Sequence, residues 1–172
     1  MEASKDKYVV LSSHHPLENL FNGYVPEGEG KPALEKEIRE LLEKYPNVIL
    51  WFSGHVHDHK IQECLKSDGT HAFWEIRTGS HIDWPQQSRV IEIMKVENDQ
   101  IVIGTSIIDH AGPLLFTGSA KELKDPVALA GFSRLLAAND WQRHRAGVNS
   151  FETLEGQPED RNIWLWANDP LD

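Results

Sequence analysis

The tetrad Gly54-His55-Val56-His57 closes the apolar run Val48-Ile49-Leu50-Trp51-Phe52. A buried strand thus delivers two imidazoles, two residues apart, into a turn that begins with glycine. A neutral imidazole offers a nitrogen lone pair near neutral pH and is the commonest metal ligand in proteins. Gly54 lets the backbone bend sharply, so that both rings can converge at the strand's carboxyl end. A second apolar strand, Tyr8-Val9-Val10-Leu11, ends in the same manner, in Ser12-Ser13-His14-His15-Pro16. Taken singly, His14 and His15 read as a strand-end pair hydrogen-bonded to nearby backbone, and His55 and His57 as a surface turn. Two strands that both empty into histidines have the layout of a metal site.

The elements that must hold these residues follow from the pattern around them. Tyr8 to Leu11 reads as a short buried strand, and Val48 to Phe52, β-branched and aromatic, as a strand covered on both faces. Between them, Asn22 to Pro32 is a Gly- and Pro-rich connection. Ala33 to Tyr45 is an amphipathic helix: Leu34, Ile38, Leu41, Leu42 and Tyr45 recur at helical spacing, with Glu35, Glu37, Glu40 and Glu43 on its solvated side. Pro46 ends it. Strand, helix, strand is the crossover unit of a parallel or mixed sheet, which makes the fold class α/β.

After the tetrad, Lys60 to Leu65, His71 to Arg77, Ser88 to Val96 and Ile101 to Ile108 predict consecutive strands. Hairpin-turn chemistry stands at Lys66 to Thr70 and at Glu97 to Gln100. Pro126 to Ala138 predicts a helix, Gly147 to Asp160 a loop, and Asn162 to Ala167 a last strand, with Trp164 and Trp166 on one face and expected in the core.

The formal charge of −10, from 17 basic and 27 acidic residues, argues against a nucleic-acid backbone as partner. Hydrophobic residues at 40 % and charged ones at 26 % suit a packed globular chain. Cys64 is the only cysteine, so no intrachain disulfide can form. No stretch approaches the ~20 apolar residues of a membrane span, and the first residues carry no signal-peptide pattern. The location of the protein is left open.

The two histidine elements are specific enough to suggest a family. The segment from Val9 to His57 resembles the C-terminal half of the calcineurin-like metallophosphoesterases, in which a strand ending in His-x-Pro precedes a strand ending in Gly-His-x-His. That resemblance implies the C-terminal part of an α/β/β/α sandwich with mixed sheets, over residues 1–112, with 113–172 an extension packed on it. It implies two transition-metal ions (Mn, Fe or Zn) and hydrolysis of a phosphoester substrate. It assigns His14 and His55 to one ion and His57 to the other; His14 rather than His15 precedes the proline by two.

Three further elements of the family, Asp-x-His, Gly-Asp-x-x-Asp and Gly-Asn-His, do not occur in this sequence. Without their carboxylates and their leaving-group acid, the expectation is weak metal binding and little or no activity from this chain alone. The missing elements would come from an N-terminal half. A non-catalytic binding or assembly module that keeps the half-fold is the alternative, and a mononuclear zinc hydrolase using His14, His55 and His57 is a third reading.

Asp58 and His59 extend the tetrad, either as groups that orient the ligand rings or as a solvated turn, the simpler expectation. The run Ser80 to Arg89 lies between two strands. There His81 is a candidate to touch a phosphate or leaving group, and Arg89 to hold an anion through its fork of donors; pairing of Arg89 with Glu92 is the plainer use. A half-sandwich would also leave the strands around Val9, Leu11, Ile49 and Trp51 with an uncovered face, which predicts self-association.

Overall fold

The computed structural model describes residues 2–140 and 154–171. Both apolar runs ahead of the histidines are strands. β1 (Val9–Ser13) and β2 (Val48–Ser53) lie side by side and parallel, and α1 (Glu35–Leu42) crosses between them. The Glu37 carboxylate accepts from the Leu34 amide at 3.0 Å and closes the helix's first turn. The helix stops short of Tyr45 because Pro46 disfavours helical geometry at the residue before it. The last turn tightens instead into i→i+3 bonds, Lys44 to Leu41 and Tyr45 to Leu42.

β3 (Lys60–Leu65) and β4 (His71–Arg77) form a hairpin, and β4 runs parallel to β2. The first sheet therefore has the order β1-β2-β4-β3. β5 (Ser88–Val96) and β6 (Gln100–Ile108) are joined by a tight turn with Asn98 and Asp99 at φ of 63° and 52°, the left-handed pair that a type I′ hairpin requires. β7 (Ile163–Asn168) pairs with the other edge of β6, giving a second, antiparallel sheet β5-β6-β7. The C-terminal stretch thus folds back into the molecule. α2 (Pro126–Ala138) starts with Asp125 accepting from Val127 N at 2.9 Å. It packs at one end of the second sheet, where Arg134 pairs with Asp109. The chain is α/β, with seven strands and two α-helices among the described residues.

Two apolar clusters hold the layers. Leu17, Leu42, Val48, Trp51 and Phe73 fill the space between α1 and the first sheet. Leu50, Ile76, Ile101, Ile103 and Leu165 fill the space between the two sheets. Each side chain fully buried in this way contributes about 1.5–3 kcal/mol. Most of both faces of the first sheet is therefore covered, because the second sheet supplies partner surface that a half-sandwich was expected to lack. Apolar exposure remains at the β1 edge of the cleft between the sheets and on the outer face of the second sheet. Val10 at the β1 edge is 44 % exposed, and Trp164 and Trp166 are 56 % and 55 % exposed on the outer face of the second sheet. The tryptophans were expected in the core. They face outward because Ile163, Leu165 and Ala167, the alternate positions of β7, take the inward face. Among the described residues no helix is long and apolar enough to cross a membrane.

Candidate metal centre

Parallel pairing in register brings the histidines together. Ser13 lies opposite Ser53, so His14 and Gly54 leave their strands side by side, and Gly54 N donates to the His14 carbonyl at 3.1 Å. β4 ends on the other side of β2, where Thr78 N donates to the Ser53 carbonyl at 3.0 Å. Three parallel strands thus discharge their loops at one edge of the sheet, the carboxyl edge at which open α/β sheets bind ligands.

His14 Nε2 and His55 Nδ1 are 3.2 Å apart. The chain has already bent at His14 and His15, so both side chains swing to the same side instead of alternating as they would within a strand. The His15 ring centroid lies 4.1 Å from that of His55 and 5.0 Å from that of His14. Ring nitrogens of His14, His15 and His55 all fall within 4.8 Å of one another, the only such histidine, cysteine or carboxylate cluster of three or more among the described residues. His15 is pinned from behind, its carbonyl accepting from Trp51 Nε1 at 3.3 Å. Below it, Leu17 is wholly buried and its amide donates to the buried Glu75 carboxylate at 2.8 Å. Desolvation, and then the neighbouring imidazoles of His15, His14 and His57, hold His55 below the usual histidine range.

His57 stands apart from this cluster. Its Nδ1 is hydrogen-bonded to Asp83 Oδ2, in the loop between β4 and β5. His55 and His57 have φ of 67° and 65°. A non-glycine residue in the left-handed region is disfavoured by roughly 1–2 kcal/mol, and such positions gather at functional sites. The two left-handed residues are separated by Val56, and of the two rings only that of His55 joins the cluster of His14 and His15.

Asp58 and His59 do not form a solvated turn. Asp58 is 7 % exposed and bonds to Arg77 Nη2 at 2.8 Å. Burial pushes its carboxyl up against the pull of Arg77, and Arg77 also bridges to Glu18. His59 is 1 % exposed, and its Nδ1 accepts from Gly79 N and Arg89 Nη2, both at 3.2 Å. Burial first, and then the positive charges of Arg89 and Arg161, lower its pKa to about 4. The neutral ring is a structural acceptor that ties the tetrad to the β4–β5 loop.

His81 Nε2 lies 2.7 Å from Ser88 Oγ, on a surface cleft of about 480 Å³ lined by Phe52, Gly79, Ser80 and Arg89. Arg89 does not pair with Glu92. Its Nη atoms donate to Thr105 Oγ1, to the carbonyls of Asp160 and Arg161, and to His59. That leaves only Nε, buried without a partner, so the fork is spent on joining β5 to the segment ahead of β7. Desolvation lowers this guanidinium to about 10, which still leaves it charged at neutral pH. His144, and the part of the expected loop from Gly147 to residue 153, lie outside the described residues.

Sequence reasoning missed two members of this constellation. His15 was visible in the His-His-Pro run but set aside by position relative to the proline. Asp83 carried no signal, since nothing in the sequence links it to His57. No protein-family model matches the sequence, and no curated protein matches it.

Proposed function

We propose that this chain carries the histidine side of a metal-dependent phosphoester hydrolase of the metallophosphoesterase type, and that alone it has little or no activity. The observation that carries the reading is the meeting of His14 and His55 at the ends of adjacent parallel strands, their ring nitrogens 3.2 Å apart. A transition-metal ion held there, Zn, Mn or Fe, would supply Lewis-acid polarisation of a phosphoryl oxygen. The chain's own groups do the rest: His14 and His55 hold the ion at the solvent-facing edge, and His81 stands at the neighbouring cleft as a hydrogen-bonding group for an ester oxygen. No carboxylate belongs to the histidine cluster, and a bridging oxygen ligand and a leaving-group acid are what a di-metal hydrolase needs for turnover.

The test uses the zinc- or manganese-loaded chain with p-nitrophenyl phosphate, its bis-ester and inorganic phosphate. Metal-dependent phosphate binding that disappears in His55→Ala, with turnover near background, supports the reading. A loaded chain that neither binds phosphate nor cleaves either ester refutes it. That outcome favours the second reading, a non-catalytic binding module, which the lack of a carboxylate in the histidine cluster supports.

A further inference from the structure

We infer that His14, His15 and His55 form a site for a single borderline transition-metal ion, with His15 as the third ligand and His57 outside the set. The inference rests on the metal site of the proposed function but not on its reaction. The two-ion assignment places one tetrad histidine on each ion. It leaves His15 without a role. Ring nitrogens of His14, His15 and His55 converge within 4.8 Å, and His57, bonded through Nδ1 to Asp83, is not part of that group.

The spacing suits one ion. Two nitrogens at Zn–N distances of about 2.0–2.1 Å around a tetrahedral centre lie ~3.3–3.4 Å apart, against 3.2 Å for His14 Nε2 and His55 Nδ1. Three neutral nitrogen donors favour Zn, Co, Ni or Cu over Mg or Ca, which take oxygen ligands. The backbone supports a dedicated aim. His55 holds a left-handed φ of 67°, and the carbonyl of His15 is fixed by Trp51 Nε1, so two of the three rings hang from a constrained main chain. His14 and His55 are exposed, which leaves the fourth coordination position facing solvent.

The proposal is tested on the full chain, stripped with chelator and titrated with Zn²⁺ alone by calorimetry, with bound metal counted by elemental analysis. Wild type and His57→Ala should each bind one ion per chain with the same affinity. His14→Ala, His15→Ala and His55→Ala should each weaken binding tenfold or more. A variant that misfolds is bypassed by a measurement on wild type: long-range ¹H–¹⁵N spectra of the imidazoles, in which Zn²⁺ should shift the rings of His14, His15 and His55 and leave that of His57 in place.

Two ions per chain would overturn the proposal. So would loss of binding in His57→Ala with retention in His15→Ala, or the absence of any zinc binding by wild type, which would make the cluster a set of hydrogen-bonded imidazoles only. None of these readouts involves an ester. Failure of the ligand assignment is therefore distinguishable from failure of the hydrolase reading, in which a correctly loaded chain would still ignore phosphate.

Discussion

Protonating His59 should destabilise this protein, and the size of the effect follows from its surroundings. The ring is 1 % exposed, and its Nδ1 accepts from two donors, Gly79 N and Arg89 Nη2. A proton on Nδ1 would face both donors and the charges of Arg89 and Arg161. The folded pKa of about 4 stands against 6.5 for a free histidine. A depressed folded value means that the unfolded chain takes up the proton first. The stabilisation is complete above the unfolded pKa and is lost as pH falls from about 6.5 towards about 4. Linkage gives a loss of roughly 2 kcal/mol between about pH 7 and about pH 5, or about 1 M in urea midpoint at an m-value of about 2 kcal/mol/M. Urea melts across that range, on wild type and on His59→Asn, isolate the contribution. Asn offers an oxygen near the place of Nδ1 but does not titrate, so the variant should lose stability at neutral pH and show a shallower acid limb. His55 and His110 are also held low, but they titrate in both proteins and cancel in the difference. Parallel pH dependences for the two proteins would refute the reasoning.

Other outcomes follow from packing and burial. Gly131→Ala should destabilise α2 by about 1–3 kcal/mol despite alanine's helix preference, since a Cβ there would fall 1.9 Å from the Pro113 carbonyl oxygen; a raised melting temperature would contradict the packing. Ile103→Ala should cost about 2–5 kcal/mol in chemical denaturation, because Ile103 is wholly buried between the sheets. Trp164→Ala, on the half-exposed outer face, should cost less than Ile103→Ala. Cys64 is buried, and desolvation pushes its thiol up to about 11 from 9.0. At about pH 8 its reaction with a disulfide reagent should therefore be about a hundredfold slower in the folded than in the unfolded chain from ionisation alone. The open apolar surface at Trp164 and Trp166 should bind a hydrophobic dye and promote self-association; Trp166→Glu should reduce both in fluorescence and size-exclusion measurements.

Much of the frame was legible because it is written in local periodicity. The β1–α1–β2 crossover, the β3–β4 and β5–β6 hairpins, the span of α2 and the last strand all follow from runs of apolar residues and turn chemistry. The convergence of His14 and His55 was legible for the same reason: two adjacent parallel strands end in register. What was not legible depends on partners far along the chain. The burial of Asp58 is decided by Arg77 on β4, and that of His59 by Gly79 and Arg89. The approach of His15 to His55 and the bond of His57 to Asp83 depend on single backbone dihedrals and on a distant loop, which no periodicity encodes. The outward face of Trp164 and Trp166 was missed because aromatic residues at alternate positions fit either face of a strand. Only the pairing of β7 with β6 shows that Leu165 points inward.

The second sheet also bears on the order in which the molecule assembles. β5 and β6 pair along their whole length, from Ser88↔Ile108 to Val96↔Gln100, around a turn at Asn98 and Asp99. A hairpin of this kind closes in about 1–10 μs, since its ends have only a short loop to bridge. The parallel pairing of β1 with β2 must wait for a crossover that contains α1, and β7 reaches β6 only after the long stretch between Ile108 and Ile163 has been brought round. Non-local pairings of this sort come late and set the folding rate. The histidine cluster hangs on the β1–β2 pairing, so it exists only after the slow steps are complete. A metal ion captured there would act on the finished structure, slowing its unfolding and leaving its folding rate nearly unchanged.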